Sequence, residues 1–249
     1  MGRLLVAGES WVVNTTHIKG FDHFTTTAYE EGIEWLRTAL ERGGHEVEHM
    51  PAHAVPAHFP ARREALARYD AVILSDIGAN SIVLHPDTFV RSQPTADRLE
   101  LLADFVADGG GLAMIGGYMS FGGFGGRAAY GGTAAERVLP VQIVAGDDRV
   151  ERPAGVRPEA VSHTHPVLDG IPATWPAFLG YNRITAKVGA DVLLRCGEDD
   201  FLVAGRHDAG RTLAFASDCA PHWAPPGFLG WEHHDRFWGQ AADWLCGAS

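Results

Sequence analysis

The stretch Ser217–Trp223, SDCAPHW, sets an acid, a thiol and an imidazole within a few residues of one another: Asp218, Cys219 and His222. These are the types from which a nucleophile, its base and an orienting acid are assembled. Spacing on a turn does not by itself bring Sγ to the ring, and a cysteine beside an apolar strand often only packs. Three further groups have the same character. Glu9, Ser10 and Trp11 follow the apolar run RLLVAG, and Asp76 follows AVILS. The run GGGLAMIGGYMSFGGFGG suits a strand that ends in a tight elbow lifting one side chain above a sheet. The register puts Tyr118 there, beside Gly117 and Ser120. A phenol with a pKa near ~10 is a weak nucleophile at neutral pH, but it can hydrogen-bond a ligand or donate a proton.

The glycines that follow lack the Gly-Lys-Ser/Thr of a phosphate loop, so a lid or a close-packed loop is the better reading. Arg127 is the cation in that run able to meet a carboxylate or phosphate. The chain has 13 histidines, enough to make metal a question. His45, His49 and His53 have i, i+4 spacing but cross a strand and Met50-Pro51, so a helical ligand pair fails. His163 and His165 on an extended segment would point their rings the same way. Glu9, Asp76, Asp218 and His222 could surround an ion, though such groups more often hydrogen-bond one another. The reading assigns no metal and no cofactor. Trp11 and Trp223, at strand ends, are candidate ligand walls, whereas Phe237, Trp238 and Trp244 fit the core face of a last helix.

These residues need a frame that brings strand ends together. Arg3–Gly8, Val47–Met50, Ala71–Ser75 and Leu112–Ile115 read as strands, apolar enough for a buried parallel sheet. Helices are expected over Thr27–Arg42, Pro60–Arg68 and Thr95–Ala107, the first with Ile33, Leu36 and Leu40 on one face and Gly43-Gly44 as its stop. In the last, Leu99, Leu102 and Val106 should point inward. The second half predicts a helix over Ala134–Val138 and strands Val141–Val144, Ile184–Ala186, Val192–Arg195, Phe201–Arg206 and Leu213–Ser217. Phe201–Gly205 and Arg211–Ala216, joined through His207-Asp208-Ala209-Gly210, are a hairpin candidate. His234–Leu245 closes the chain as an amphipathic helix. The series predicts one α/β domain over residues 1–249: a flavodoxin-like open, mostly parallel sheet with helices on both faces and antiparallel strands in the C-terminal half. In such a sheet ligands bind beyond the carboxyl ends of the strands.

Bulk properties narrow the partners. A net charge of −11 and no basic cluster beyond Arg62-Arg63 argue against nucleic acid. No stretch approaches the ~20 apolar residues of a membrane span, and the N-terminus reads as a strand rather than a leader. Three cysteines without paired spacing fit reduced thiols in the cytoplasm.

Four segments in order, GESWVVNTTHIKGFDHF, YDAVILSDIGAN, GGGLAMIGGYMSFGGFGG and SDCAPHW, resemble the bacterial glutamine amidotransferase-like cytoplasmic proteins. These are relatives of the class I glutamine amidotransferases and of ThuA-like proteins, and the resemblance covers essentially the whole chain. It implies a flavodoxin-like fold, a cytoplasmic location and a homo-oligomer. A true class I enzyme has Cys at the elbow, a late His and a Glu two residues beyond it. Here Tyr118 stands at the elbow, His222 is the counterpart of the late His, and Ala224 stands where Glu would be.

Glutamine hydrolysis by the Cys-His-Glu triad is therefore not expected. Three readings stay open. The first is a small-molecule site in which Glu9, Tyr118, Asp218 and His222 act chemically. In it Ser10, Trp11, Asp76, Gly117, Ser120, Arg127, Cys219 and Trp223 line the ligand. The second is a non-catalytic oligomeric binding or assembly module, and the third a Cys219-dependent hydrolase or transferase.

Overall fold

A computed structural model describes residues 1–162 and 164–247; His163 lies outside the described residues, and with it the expected pairing with His165. In chain order the strands and α-helices are β1 (Arg3–Gly8), β2 (Ser10–Lys19), β3 (Asp22–Glu31), α1 (Glu34–Arg42), β4 (Glu46–Met50), α2 (Val55–His58), α3 (Arg63–Leu66), β5 (Ala71–Ser75), α4 (Ala79–Val83), α5 (Pro86–Arg91), α6 (Arg98–Ala107) and β6 (Gly111–Ile115). Then follow α7 (Ala134–Val138), β7 (Val141–Ile143), β8 (Arg149–Val156), β9 (Glu159–Ala160), β10 (Phe178–Asn182), β11 (Ile184–Ala186), β12 (Asp191–Cys196), β13 (Asp199–His207), β14 (Gly210–Phe215), α8 (Pro226–Leu229) and α9 (His234–Leu245).

The main sheet runs β4-β1-β5-β6-β14-β13-β11-β7, with β12 and β9 attached beyond β13. Its first five strands are parallel and the remainder antiparallel. Reading only the parallel strands in chain order gives 2-1-3-4-5, the flavodoxin-like winding, whose switch point falls between β1 and β5. Burial explains why these segments are strands: Leu4–Ala7, Ala71–Leu74, Leu112–Ile115 and Leu213–Phe215 are all buried, as strands covered on both faces must be. One face is covered by α1 and α9, which pack on each other, and the other by α6 with its neighbours α3, α4 and α7. Asp97 caps α6, its carboxylate accepting from the Leu99 and Glu100 amides, and sends Leu99, Leu102 and Val106 inward. As expected, Phe237, Trp238 and Trp244 are core residues of α9.

The N-terminal region departs from expectation. The expected helix Thr27–Arg42 begins only at Glu34, because Thr27–Glu31 belongs to β3, which pairs antiparallel with β2 along its whole length. Gly20, at φ +64, opens the two-residue turn between them. The expected helix Pro60–Arg68 shrinks to α3, preceded by the unforeseen α2. A second antiparallel pair, β8 with β10, was not foreseen either. His45, His49 and His53 do not converge. His45 accepts from the Gly2 amide, His49 bonds the Gly8 carbonyl, and His53 lies edge-on to Tyr29.

Candidate functional site

Glu9 and Asp76 are the first residues after β1 and β5, the strands flanking the switch point. Both are held in the left-handed region, at φ +49 and +43. For residues with a Cβ such a conformation costs about 1–3 kcal/mol each. The surrounding bonds impose it. The Glu9 amide donates to the Ser75 carbonyl (2.8 Å) and its carbonyl accepts from Gly32 (3.0 Å). The Asp76 amide donates to Ser120 Oγ (3.2 Å), and Asp76 Oδ1 accepts from the Met119 amide (2.7 Å). The chain thus folds each acid back over the sheet.

Under the switch point lies a buried cluster. Ser75 Oγ donates to Glu9 Oε2 (2.5 Å), while Cys219 Sγ sits 3.5 Å from the same oxygen and 3.4 Å from Ser75 Oγ. Glu9, Ser75, Asp218 and Cys219 are all buried. Burial drives the Glu9 carboxyl well above its ordinary value, and the charges of Asp218 and Asp76 add to the effect. Burial also pushes the Cys219 thiol well up. Asp76 rises to about 6, through burial and then through Asp218. Asp218 is likewise raised by burial, against the pull of His222 and the Ala220 amide, which it accepts at 3.0 Å. Asp218 is the carboxyl of the cluster that faces His222.

One donor atom each from Glu9, Asp218 and Cys219 lies within 4.8 Å of the others, the arrangement a metal ion would need. A ligand thiol or carboxyl must shed its proton to bind metal, and burial favours the protonated forms here. The same burial disfavours the Cys219 thiolate, the form that acts as nucleophile, and shields the sulfur from solvent.

The accessible layer lies above. His222, on the loop after β14, has a side chain 39% exposed, with Nδ1 3.7 Å from Asp218 Oδ2. That carboxylate holds the imidazole above its ordinary pKa. The ring stands edge-on to Tyr118 (centroids 4.3 Å) and stacks on Trp223 (5.1 Å). Tyr118 OH donates to Glu151 Oε1 and Trp223 Nε1 to Glu151 Oε2, both at 3.0 Å. Arg149 lies over Tyr118 and Phe124, and Arg127 flanks Phe124 from elsewhere. Behind the elbow, Asn182 accepts from the Gly117 amide (2.9 Å) and donates to Asp148 (2.8 Å), which in turn accepts from the Gly122 and Gly123 amides. The elbow residue with a positive φ is Gly117, at +152, where an added Cβ would lie 2.7 Å from Asp76 Oδ1.

The structure therefore gathers Glu9, Asp76, Gly117, Tyr118, Ser120, Asp218, Cys219, His222 and Trp223 at one end of the sheet. It separates two others. Ser10 turns away, its Oγ accepting from the Ala52 amide, and Trp11 stands on the β2–β3 hairpin, donating to Glu30. Sequence reasoning missed Ser75, Asp148, Arg149, Glu151 and Asn182. Ser75, the last residue of an apolar strand, carried a readable signal; Glu151 carried none, because its strand β8 was not recognised. A 400 Å³ cavity lined by Arg63, Tyr69, Phe105 and Cys246 opens at the opposite end, where β5 and β6 begin.

The comparisons agree with this frame. Residues 3–247 match the GATase1_like family model, "Putative glutamine amidotransferase". Two solved structures align over nearly the whole chain. They are the cytoplasmic protein STM3548 of Salmonella typhimurium (43% identity, TM-score 0.94, 97% of this chain and 98% of that one) and the cytoplasmic protein STM1381 of Salmonella typhimurium LT2 (44%, 0.93, 98% and 99%). A ThuA-like protein from Parabacteroides merdae shares the fold at 12% identity, with a TM-score of 0.60 over 99% of this chain and 90% of that one. No curated protein matches the chain. On the match over residues 3–247 and the whole-chain likeness at 43% identity, the chain belongs to the GATase1_like family of glutamine amidotransferase-like proteins.

Proposed function

We propose that the chain binds, and in binding positions for proton transfer, a small polar metabolite of sugar-like or amino-acid-like character above the carboxyl ends of β1, β5, β6 and β14. The observation that carries this is His222. It is a half-open imidazole, charged by Asp218 from below and framed by Tyr118 and Trp223, the only layer of the cluster a ligand can reach without unpacking the core. In this reading His222 is the general acid and Tyr118 the hydrogen-bonding wall. Asp218 is the positioning residue that sets the charge of His222 from below, with Glu151 and Asp76 adding to it, and Glu9 lies buried beneath them. Glutamine hydrolysis through a Cys-His-Glu triad is excluded from the proposal: Tyr118 stands at the elbow, and Cys219 is buried and neutral. The two cytoplasmic Salmonella relatives support a cytoplasmic location.

The test is a thermal-shift and calorimetric screen against monosaccharides, sugar acids and amino acids, glutamine among them. A specific ligand stabilises the protein by mass action, and His222→Ala and Tyr118→Phe should abolish or strongly weaken that stabilisation. A ligand bound equally well by His222→Ala would overturn the assignment. Ammonia release from glutamine would overturn the exclusion.

A further inference from the structure

β2 and β3 form a two-stranded hairpin outside the main sheet. Ten residues per strand at ~3.3 Å each carry its tip about 33 Å from its root. Every residue from Trp11 to Glu31 is exposed. Opposed pairs define two faces. Val12, Tyr29 and Ile18 lie on one, Trp11, Val13, Phe24 and His17 on the other, and Phe21 sits at the tip. Both faces are bare, so the hairpin does not rest on its own chain. Only its root is tied down, through Ser10 to Ala52 and Tyr29 to His53.

An isolated hairpin of this kind is marginal in water. Its outer edges offer unpaired N–H and C=O groups, which proteins elsewhere blunt with charge or proline. This arm has no proline, and between Val12 and Tyr29 its only formal charges are Lys19 and Asp22, which face each other across the turn. Instead it concentrates apolar surface. Half of the large apolar side chains exposed among the described residues lie in it, with Phe21 107%, Ile18 76% and Val12 50% exposed. Together they expose an area of the order of the ~800 Å² each partner contributes to a stable interface.

We propose that the Ser10–Glu31 hairpin is an assembly arm that grips a second copy of this chain. Charge selects that occupant. A chain of net charge −11 repels its own copy over most of its surface, and the arm between Val12 and Tyr29 is a long exposed stretch whose charges cancel. The same neutrality leaves nothing to attract nucleic acid or an anionic membrane. Two free strand edges, each able to pair antiparallel with its own copy about a two-fold axis, give the self-complementarity that an isologous interface requires. The arm therefore supplies both contact elements.

Sedimentation of the full chain at micromolar concentration, beside Ile18→Ser/Phe21→Ser/Phe24→Ser, tests this. The wild type should sediment as an oligomer with arm amides slow to exchange. The triple variant should sediment as a monomer with unchanged circular dichroism and a melting temperature that no longer depends on protein concentration. Should the triple variant misfold, an Asn-Gly turn in place of residues 13–28, keeping the root, gives the same reading. A monomeric wild type, or an armless variant of wild-type size, overturns the proposal.

Discussion

The His222 imidazole stands perpendicular to the Tyr118 phenol, with ring centroids 4.3 Å apart and planes at 90°. The edge of one ring against the face of the other is the arrangement aromatic quadrupoles favour, and a charged imidazole gains further from a π-face. The pair joins the loops after β6 and β14, so whatever fixes the charge of His222 also fixes the wall beside it.

That charge is set by Asp218. Histidine-selective NMR titration should find His222 protonated to a higher pH than an ordinary histidine. Asp218→Asn should bring its titration down toward or below ~6.5. An unchanged midpoint would show that the 3.7 Å pair does not govern the ring.

Cys219 should be inert. Native protein treated with a thiol reagent should leave Cys219 unmodified until denaturant is added, because the group is buried and its thiolate disfavoured. A glutamine-analogue electrophile should leave the intact mass unchanged. Rapid native labelling at Cys219 would restore the nucleophile reading.

Glu151 serves two donors at once, Tyr118 OH and Trp223 Nε1. Replacing it with Ala strands the indole N–H of a buried tryptophan, which should cost about 1–3 kcal/mol in urea unfolding. Glu151→Gln, which keeps one acceptor, should recover part of that loss.

Gly117→Ala should destabilise by more than ~1 kcal/mol, since the residue sits at φ +152 and the new methyl would collide with Asp76 Oδ1 at 2.7 Å. Crowding that carboxylate should also perturb the His222 titration. A variant as stable as wild type would mean that the elbow relaxes freely.

Asp76 gives a pH signature. Its folded pKa of about 6 lies above the 3.8 of a free aspartate, so the folded state prefers the protonated form. The contribution to stability is full below pH 3.8 and is lost as pH rises through about 6. The difference in urea midpoint between wild type and Asp76→Asn should therefore move in the variant's favour across that window and stay flat above it.

The sheet and most site positions were legible because apolar runs such as AVILS and LAMI admit few readings, and the acids follow directly where the runs stop. The arm was not. TTTAYEEGIEWLRTALE continues the helical spacing of Ile33, Leu36 and Leu40 upstream well enough to hide the strand-forming β-branched run Thr25–Thr27. Only the Gly20-Phe21 turn hinted at a hairpin. Glu151 was hidden for a different reason: its strand pairs with Gly180, far along the chain, a non-local match that no local pattern announces.

The acids gathered at the switch point tie folding to proton traffic. Near pH 5 the native chain keeps protons on Glu9 and Asp76 that an unfolded chain would have released to solvent. Those two groups release protons on unfolding, while His45, His49, His165 and His234, which burial holds below their ordinary pKa, take protons up, so unfolding exchanges protons with the buffer. The heat measured by calorimetry will then include the ionisation enthalpy of that buffer, and acetate and a zwitterionic amine buffer at the same pH will report different unfolding enthalpies for one and the same structure.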